Sequence, residues 1–145
     1  MTTTARGTLV AVTEEPLDVG AHLAAVEDRA CGAVVTFLGQ VRDHDPGATG
    51  EVTGIEYSAH HDATAVLARL VADVLDGVAP PARIAVSHRV GSLAVGDLAL
   101  VACVATAHRA QAYDLSRTLV ERVKAELPVW KKQRTADGAT HWVGL

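Results

Sequence analysis

The sequence predicts a single domain of the α+β class, with about three helices and a C-terminal hairpin. Stretches of strand-like period alternate with stretches of helical period along the chain, and a turn signal, Asp137-Gly138, splits the tail into two short strand-like runs. With 49% apolar residues in a chain of 145, there is enough hydrophobic material for one core of ordinary size.

Taken in order, Thr8 to Thr13 reads as a short strand, and Asp18 to Asp28 as a helix with Val19, Leu23 and Val26 on one face. Gly32 to Val41 is rich in β-formers and ends against Arg42. The proline and glycines of Asp43-His-Asp-Pro-Gly-Ala-Thr-Gly50 mark a loop, and its place at a strand end makes it a lid candidate. Val52 to Ala59 is strand-like. Asp62 then opens the clearest helix, where Ala63, Val66, Leu67, Leu70, Val71, Val74 and Leu75 recur at helical spacing as a core stripe. After Pro80-Pro81, Arg83 to Val90 reads as a strand, Val95-Gly-Asp97 as a turn and Leu98 to Thr106 as a buried strand. A third helix runs from about His108 to Leu127, where Pro128 stops it. Val129 to Thr135 and Thr140 to Val143 form the hairpin.

Composition narrows the function. Cys31 and Cys103 are the only cysteines and both sit in apolar surroundings, so a disulfide scaffold or a four-cysteine zinc site is excluded, and a reducing cytoplasm is the simplest home. The first residues lack the apolar core of a signal peptide, and the longest apolar run, Leu98 to Ala107, is about half of the ~20 residues a membrane span needs. A net charge of −4 argues against a nucleic-acid binder. Yet the segment from Ala107 to Arg134 carries seven basic residues against three acids, a local +4, which leaves −8 for the rest. An acidic body with one basic stretch suits a compact anionic ligand or the acidic tail of a partner.

The start of the third helix is the most informative place. Thr106 is a candidate N-cap, and the backbone N–H groups that follow lack intrahelical acceptors. A helix N-terminus favours anions, so His108 and Arg109 in the first turn cost roughly 0.3–1 kcal/mol unless an anion joins them. With a bound phosphate the same residues make a good anion site. The alternative is that Arg109 folds back onto Asp114 or another acid. Lys124, near the helix C-terminus, shares a face with Arg117 and Glu121, so a solvated charge ladder also explains it. If the hairpin folds back beside the helix, Lys124 approaches Lys131, and two ammonium groups in a half-closed pocket lower each other's pKa towards the range of general acid–base work.

Other chemistry has less support. The seven histidines show no metal-ligand spacing, and His60 and His61 would point apart on a strand. Cys103 lies in a strand without an adjacent base and reads as core rather than nucleophile. No phosphate-binding glycine loop or hydrolase elbow occurs.

Gly32-Ala-Val-Val-Thr-Phe-Leu-Gly-Gln-Val-Arg-Asp-His44, Gly54-Ile-Glu-Tyr57, His88-Arg-Val-Gly-Ser-Leu-Ala-Val-Gly-Asp97, Ala107-His-Arg109 and Leu127-Pro-Val-Trp-Lys-Lys132 with Trp142 occur in that order. Together, from roughly Thr8 to Val143, they resemble the large catalytic subunit family of molybdopterin synthase. The resemblance implies an α/β-hammerhead fold with a mixed/antiparallel sheet, and a homodimeric core flanked by small ubiquitin-like subunits in a heterotetramer. It further implies sulfur transfer from the small subunit's C-terminal Gly-Gly thiocarboxylate to cyclic pyranopterin monophosphate, forming the dithiolene of molybdopterin, with no metal or bound cofactor required.

Residue by residue, the resemblance assigns Arg42, His108 and Arg109 to the phosphate and pterin, with Gln40 and Val41 lining the same pocket. It sets Lys124 against the partner's carboxyl terminus, for stabilising the acyl oxyanion or moving a proton, and makes Lys131 a candidate acid for opening the cyclic phosphate. Lys132 and Gln133 stand beside it. The chain departs from the family at Ser58-Ala-His-His61 and ends three residues after Trp142, so Arg134 is a candidate for basic contacts that a longer tail makes in relatives. Two rivals stay open: a non-catalytic module that merely binds a small anionic metabolite, and a cysteine enzyme built on Cys103.

Overall fold

The computed structural model describes residues 7–45 and 50–143. The first strand, β1 (Gly7–Thr13), leads to a short helix, α1 (Val19–Ala25), then to β2 (Ala33–Gln40) and β3 (Val52–Ala59). Helix α2 (Ala63–Asp76) follows, then β4 (Ala82–Arg89), β5 (Gly91–Ala94) and β6 (Leu98–Thr106). The chain closes with α3 (Arg109–Glu126) and the hairpin β7 (Val129–Thr135) and β8 (Thr140–Val143).

Two four-stranded sheets result. The first, in the order β1-β4-β6-β2, pairs β1 with β4 in parallel and is otherwise antiparallel; the second, β5-β3-β7-β8, is antiparallel throughout. The α+β expectation with three helices and a mixed/antiparallel arrangement is therefore met.

Strand β6 explains the longest apolar run. It lies inside the first sheet, and successive side chains enter two different cores: Leu100, Ala102 and Val104 face α2 and α3, while Val101, Cys103 and Ala105 face the α1 side. A strand covered on both faces has no solvent side to alternate with. The predicted stripe of α2 is buried except for the partly exposed Val66. Strand β5 is an element the sequence reading left out. It opens on Gly91, whose φ of +90° favours glycine, and pairs with β3.

Helix α1 corrects the sequence reading. Val26 is buried, but Leu23 is 41% exposed, and the side chain that points inward is His22. Its Nδ1–H donates to the Asp18 carbonyl at 2.6 Å, which leaves Nε2 to accept from the Ser87 hydroxyl at 2.7 Å. A polar residue with both ring nitrogens satisfied can replace an apolar one in a core.

Candidate functional site

Four separate parts of the chain meet at a cavity of about 380 Å³: the end of β2 with the loop after it, the inner face of β3, the C-terminal turn of α3 and the inner face of β7. The β2 end is fixed by backbone bonds. Val41 N–H donates to Asp97 O at 3.0 Å, and the turn returns a bond from Gly96 N–H to Val41 O at 2.8 Å. Val41 is buried by this, and Arg42 emerges at the cavity wall. The loop mouth is closed by Val52 N–H donating to Asp43 O at 2.8 Å. Residues 46–49 of the proposed lid lie outside the described residues.

Strand parity selects what β7 contributes. Lys131 and Gln133 pair with Tyr57 and Ile55 of β3, and all four side chains line the cavity. Lys132, one residue out of step, faces the other way and sits 5.3 Å from the Trp142 ring centroid. It is not a wall of this cavity, contrary to the sequence reading. Arg134 shares that outer face and donates to Ser92 Oγ at 3.1 Å, so it does not complete the pocket either.

Lys124 comes from the last turn of α3 and lines the same cavity. Burial of its ammonium, then the charges of Lys131 and Arg42, hold its pKa below the usual lysine range, with Glu121 opposing. Asp45 supplies the counter-charge: its Oδ2 accepts from Gln133 Nε2 at 2.7 Å and from Lys131 Nζ at 3.4 Å. Behind them Tyr57 is buried, and burial together with the Asp45 charge raises its phenol. Neither Asp45 nor Tyr57 was singled out from the sequence. Tyr57 stood within a quoted motif, whereas nothing in the loop's composition said which of its polar residues turns inward.

The other end of α3 is elsewhere. Its N-cap is His108, not Thr106, whose hydroxyl donates to His108 O at 2.7 Å. His108 and Arg109 line a cleft of about 500 Å³ beside Gly32, where a Cβ would stand 2.9 Å from Ala107 O. Among the described residues Arg109 forms no ion pair, so the fold-back onto Asp114 is not seen. Fifteen positions of α3 separate Arg109 from Lys124, about 22 Å of axial rise. One chain therefore gathers Gln40, Val41, Arg42, Lys124, Lys131 and Gln133, and leaves His108, Arg109 and Lys132 outside.

The remaining candidates are settled by their surroundings. A further cleft between α2 and α3 is lined by Arg122, but that guanidinium is held by Asp73 and Glu126. Cys103 is fully buried in β6, and burial raises its thiol, which removes it as a nucleophile. His60 and His61 follow β3 rather than lying in it. Their rings are 4.1 Å apart, and with Asp62 they bring three ligand atoms within 4.8 Å, all exposed. His60 Nδ1 already accepts from Asp62 N–H at 3.1 Å.

The model of the family described as MoaE protein matches residues 12–126. The chain belongs to the MoaE family. Molybdopterin synthase catalytic subunit 1 of Mycobacterium tuberculosis is 38% identical over 92% of this chain and 88% of its own length. The crystal structure of molybdopterin synthase from Staphylococcus aureus superposes with a TM-score of 0.85 at 28% identity, covering 94% of this chain and 97% of that one. The fold is also shared, at 18% identity and a TM-score of 0.71, by a chain of the Helicobacter pylori complex of subunits 1 and 2 of molybdopterin-converting factor, over 92% of this chain and 88% of that one. Among the described residues of this MoaE-family chain, no helix is long and apolar enough to cross a membrane.

His88, behind the cavity, gives the family member a pH-dependent element. It is buried, donates from Nδ1 to Arg89 O at 2.7 Å and meets Tyr57 edge-on at 5.0 Å. Burial, opposed by the Arg89 bond and helped by the Lys124 charge, pushes its pKa down from 6.5 to about 4. Because the folded state refuses a proton that the unfolded chain accepts, stability is whole above pH 6.5. It is expected to fall by roughly 3 kcal/mol between pH 6.5 and 4 and to level off below. Urea unfolding across that range checks it, and His88→Gln is expected to remove this part of the slope.

Proposed function

We infer that this chain is the catalytic subunit of a molybdopterin synthase. It takes sulfur from the C-terminal thiocarboxylate of a small ubiquitin-like subunit and places it on cyclic pyranopterin monophosphate, so that two transfers build the dithiolene of molybdopterin. Family membership supports the reaction class. The observation that carries the site is the convergence of Arg42, Lys124 and Lys131 on one cavity. A phosphate-bearing pterin needs anion holders, and an acyl thiocarboxylate needs a cation where its oxyanion develops.

In this reading Lys124 stabilises the acyl oxyanion or moves a proton, Lys131 is the acid for opening the cyclic phosphate, and Arg42 with Gln40, Val41 and Gln133 holds the substrate. His108 and Arg109 belong to the same chemistry if a second copy of the chain brings them, across a homodimer core within a heterotetramer, to the cavity of its neighbour. The whole chain acts as one domain, in the cytoplasm, where the free thiols of Cys31 and Cys103 stay reduced. Incubating the protein with thiocarboxylated small subunit and cyclic pyranopterin monophosphate is expected to yield the dithiolene product. Binding of the pterin without any product would instead establish the non-catalytic module.

A further inference from the structure

We propose that Asp45 is a resident stand-in for the incoming carboxylate: it occupies the cavity's anion seat and competes with the small subunit's C-terminus for Lys131 and Gln133. This rests on the functional reading above, with one change to it: Gln133, and Lys131 before it acts as an acid, receive the peptide end rather than the pterin. The Asp45 carboxylate is only 14% exposed and accepts from two cavity side chains, the Gln133 amide and the Lys131 ammonium. It meets there the donors a foreign carboxylate would meet, among the cations Arg42, Lys124 and Lys131. An acid from the protein's own loop thus fills a place that an acidic ligand must take.

The chemistry of the seat favours a peptide end over a phosphate. With Nε2 of Gln133 donating to Asp45, its Oε1 is buried without a donor among the described residues, and turning the amide over would set two oxygens against each other. Gln133 is only 1% exposed, so bulk water does not relieve this acceptor. A chain ending in glycine offers both halves of the match: a carboxylate for Lys131 and Nε2, and a backbone N–H for Oε1. The dianion of a phosphate ester, which carries no N–H or O–H, offers only the first.

If Asp45 fills the seat about nine-tenths of the time, it weakens apparent binding about tenfold. A synthetic peptide ending in Gly-Gly carboxylate is therefore expected to bind the full-length Asp45→Asn protein several-fold to about tenfold more tightly than wild type, by calorimetry. Methyl phosphate should gain less, and Asp45→Glu should restore the wild-type affinity. Asp45→Ser serves as a second variant if the asparagine protein does not fold. Equal or weaker peptide binding by the folded neutral variants would overturn the competition, and an equal or larger gain for methyl phosphate would overturn the assignment of the seat to a peptide end. Turnover of Lys124→Ala tests the underlying function separately, because it does not depend on Asp45.

Discussion

Lys124→Ala is expected to lower the rate of dithiolene formation by on the order of 10²–10³, the usual cost of removing one donor to a developing oxyanion, while the protein stays folded. Lys124 is an exposed residue outside the hydrophobic core, so truncation opens no cavity there. Its ammonium stands among like charges, Lys131 and Arg42, which already hold its pKa down. Losing it relieves repulsion, and the melting temperature should stay or rise. The effect is therefore placed on the transition state rather than on the fold. Lys124→Arg divides the two roles: a guanidinium keeps the charge but does not give up a proton near neutral pH, so activity retained by arginine means electrostatic stabilisation, and activity lost means proton transfer. A Lys124→Ala protein with full turnover in the reconstituted assay would dismiss this cavity as the reaction centre.

What could be read from the sequence divides along physical lines. Periodicity located α2 and β6, because a long stripe or a doubly covered strand leaves a pattern that no local exception hides. Periodicity failed at α1, where a seven-residue helix buries a histidine that two hydrogen bonds make acceptable to the core. The adjacency of Lys131 and Lys132 held a signal that was not used: neighbours on a strand face opposite ways, so both could not enter one cavity. The length of α3 held another, since fifteen residues of helix already separate Arg109 from Lys124 by more than their side chains can span. Asp45 left no such mark. Its inward turn depends on the bonds that tie Val41 to the β5–β6 turn and Asp43 to Val52, contacts between segments far apart in the chain.

That separation makes the second large prediction. If the reaction centre pairs Arg42, Lys124 and Lys131 of one copy with His108 and Arg109 of another, Arg109→Ala alone should mainly weaken pterin binding and show little activity at low pterin. In a dimer of one Lys124→Ala chain and one Arg109→Ala chain, one site then carries both defects and the other carries neither. Random mixing of the two proteins after dissociation is expected to restore about a quarter of wild-type activity at low pterin, since half the dimers are mixed and each has one intact site of two. A centre contained within one chain gives the opposite result, because every site keeps one defect and mixing restores nothing. The measurement needs no structure of the dimer. It asks only whether side chains at the two ends of α3, held apart by the rigidity of the helix, serve the same substrate.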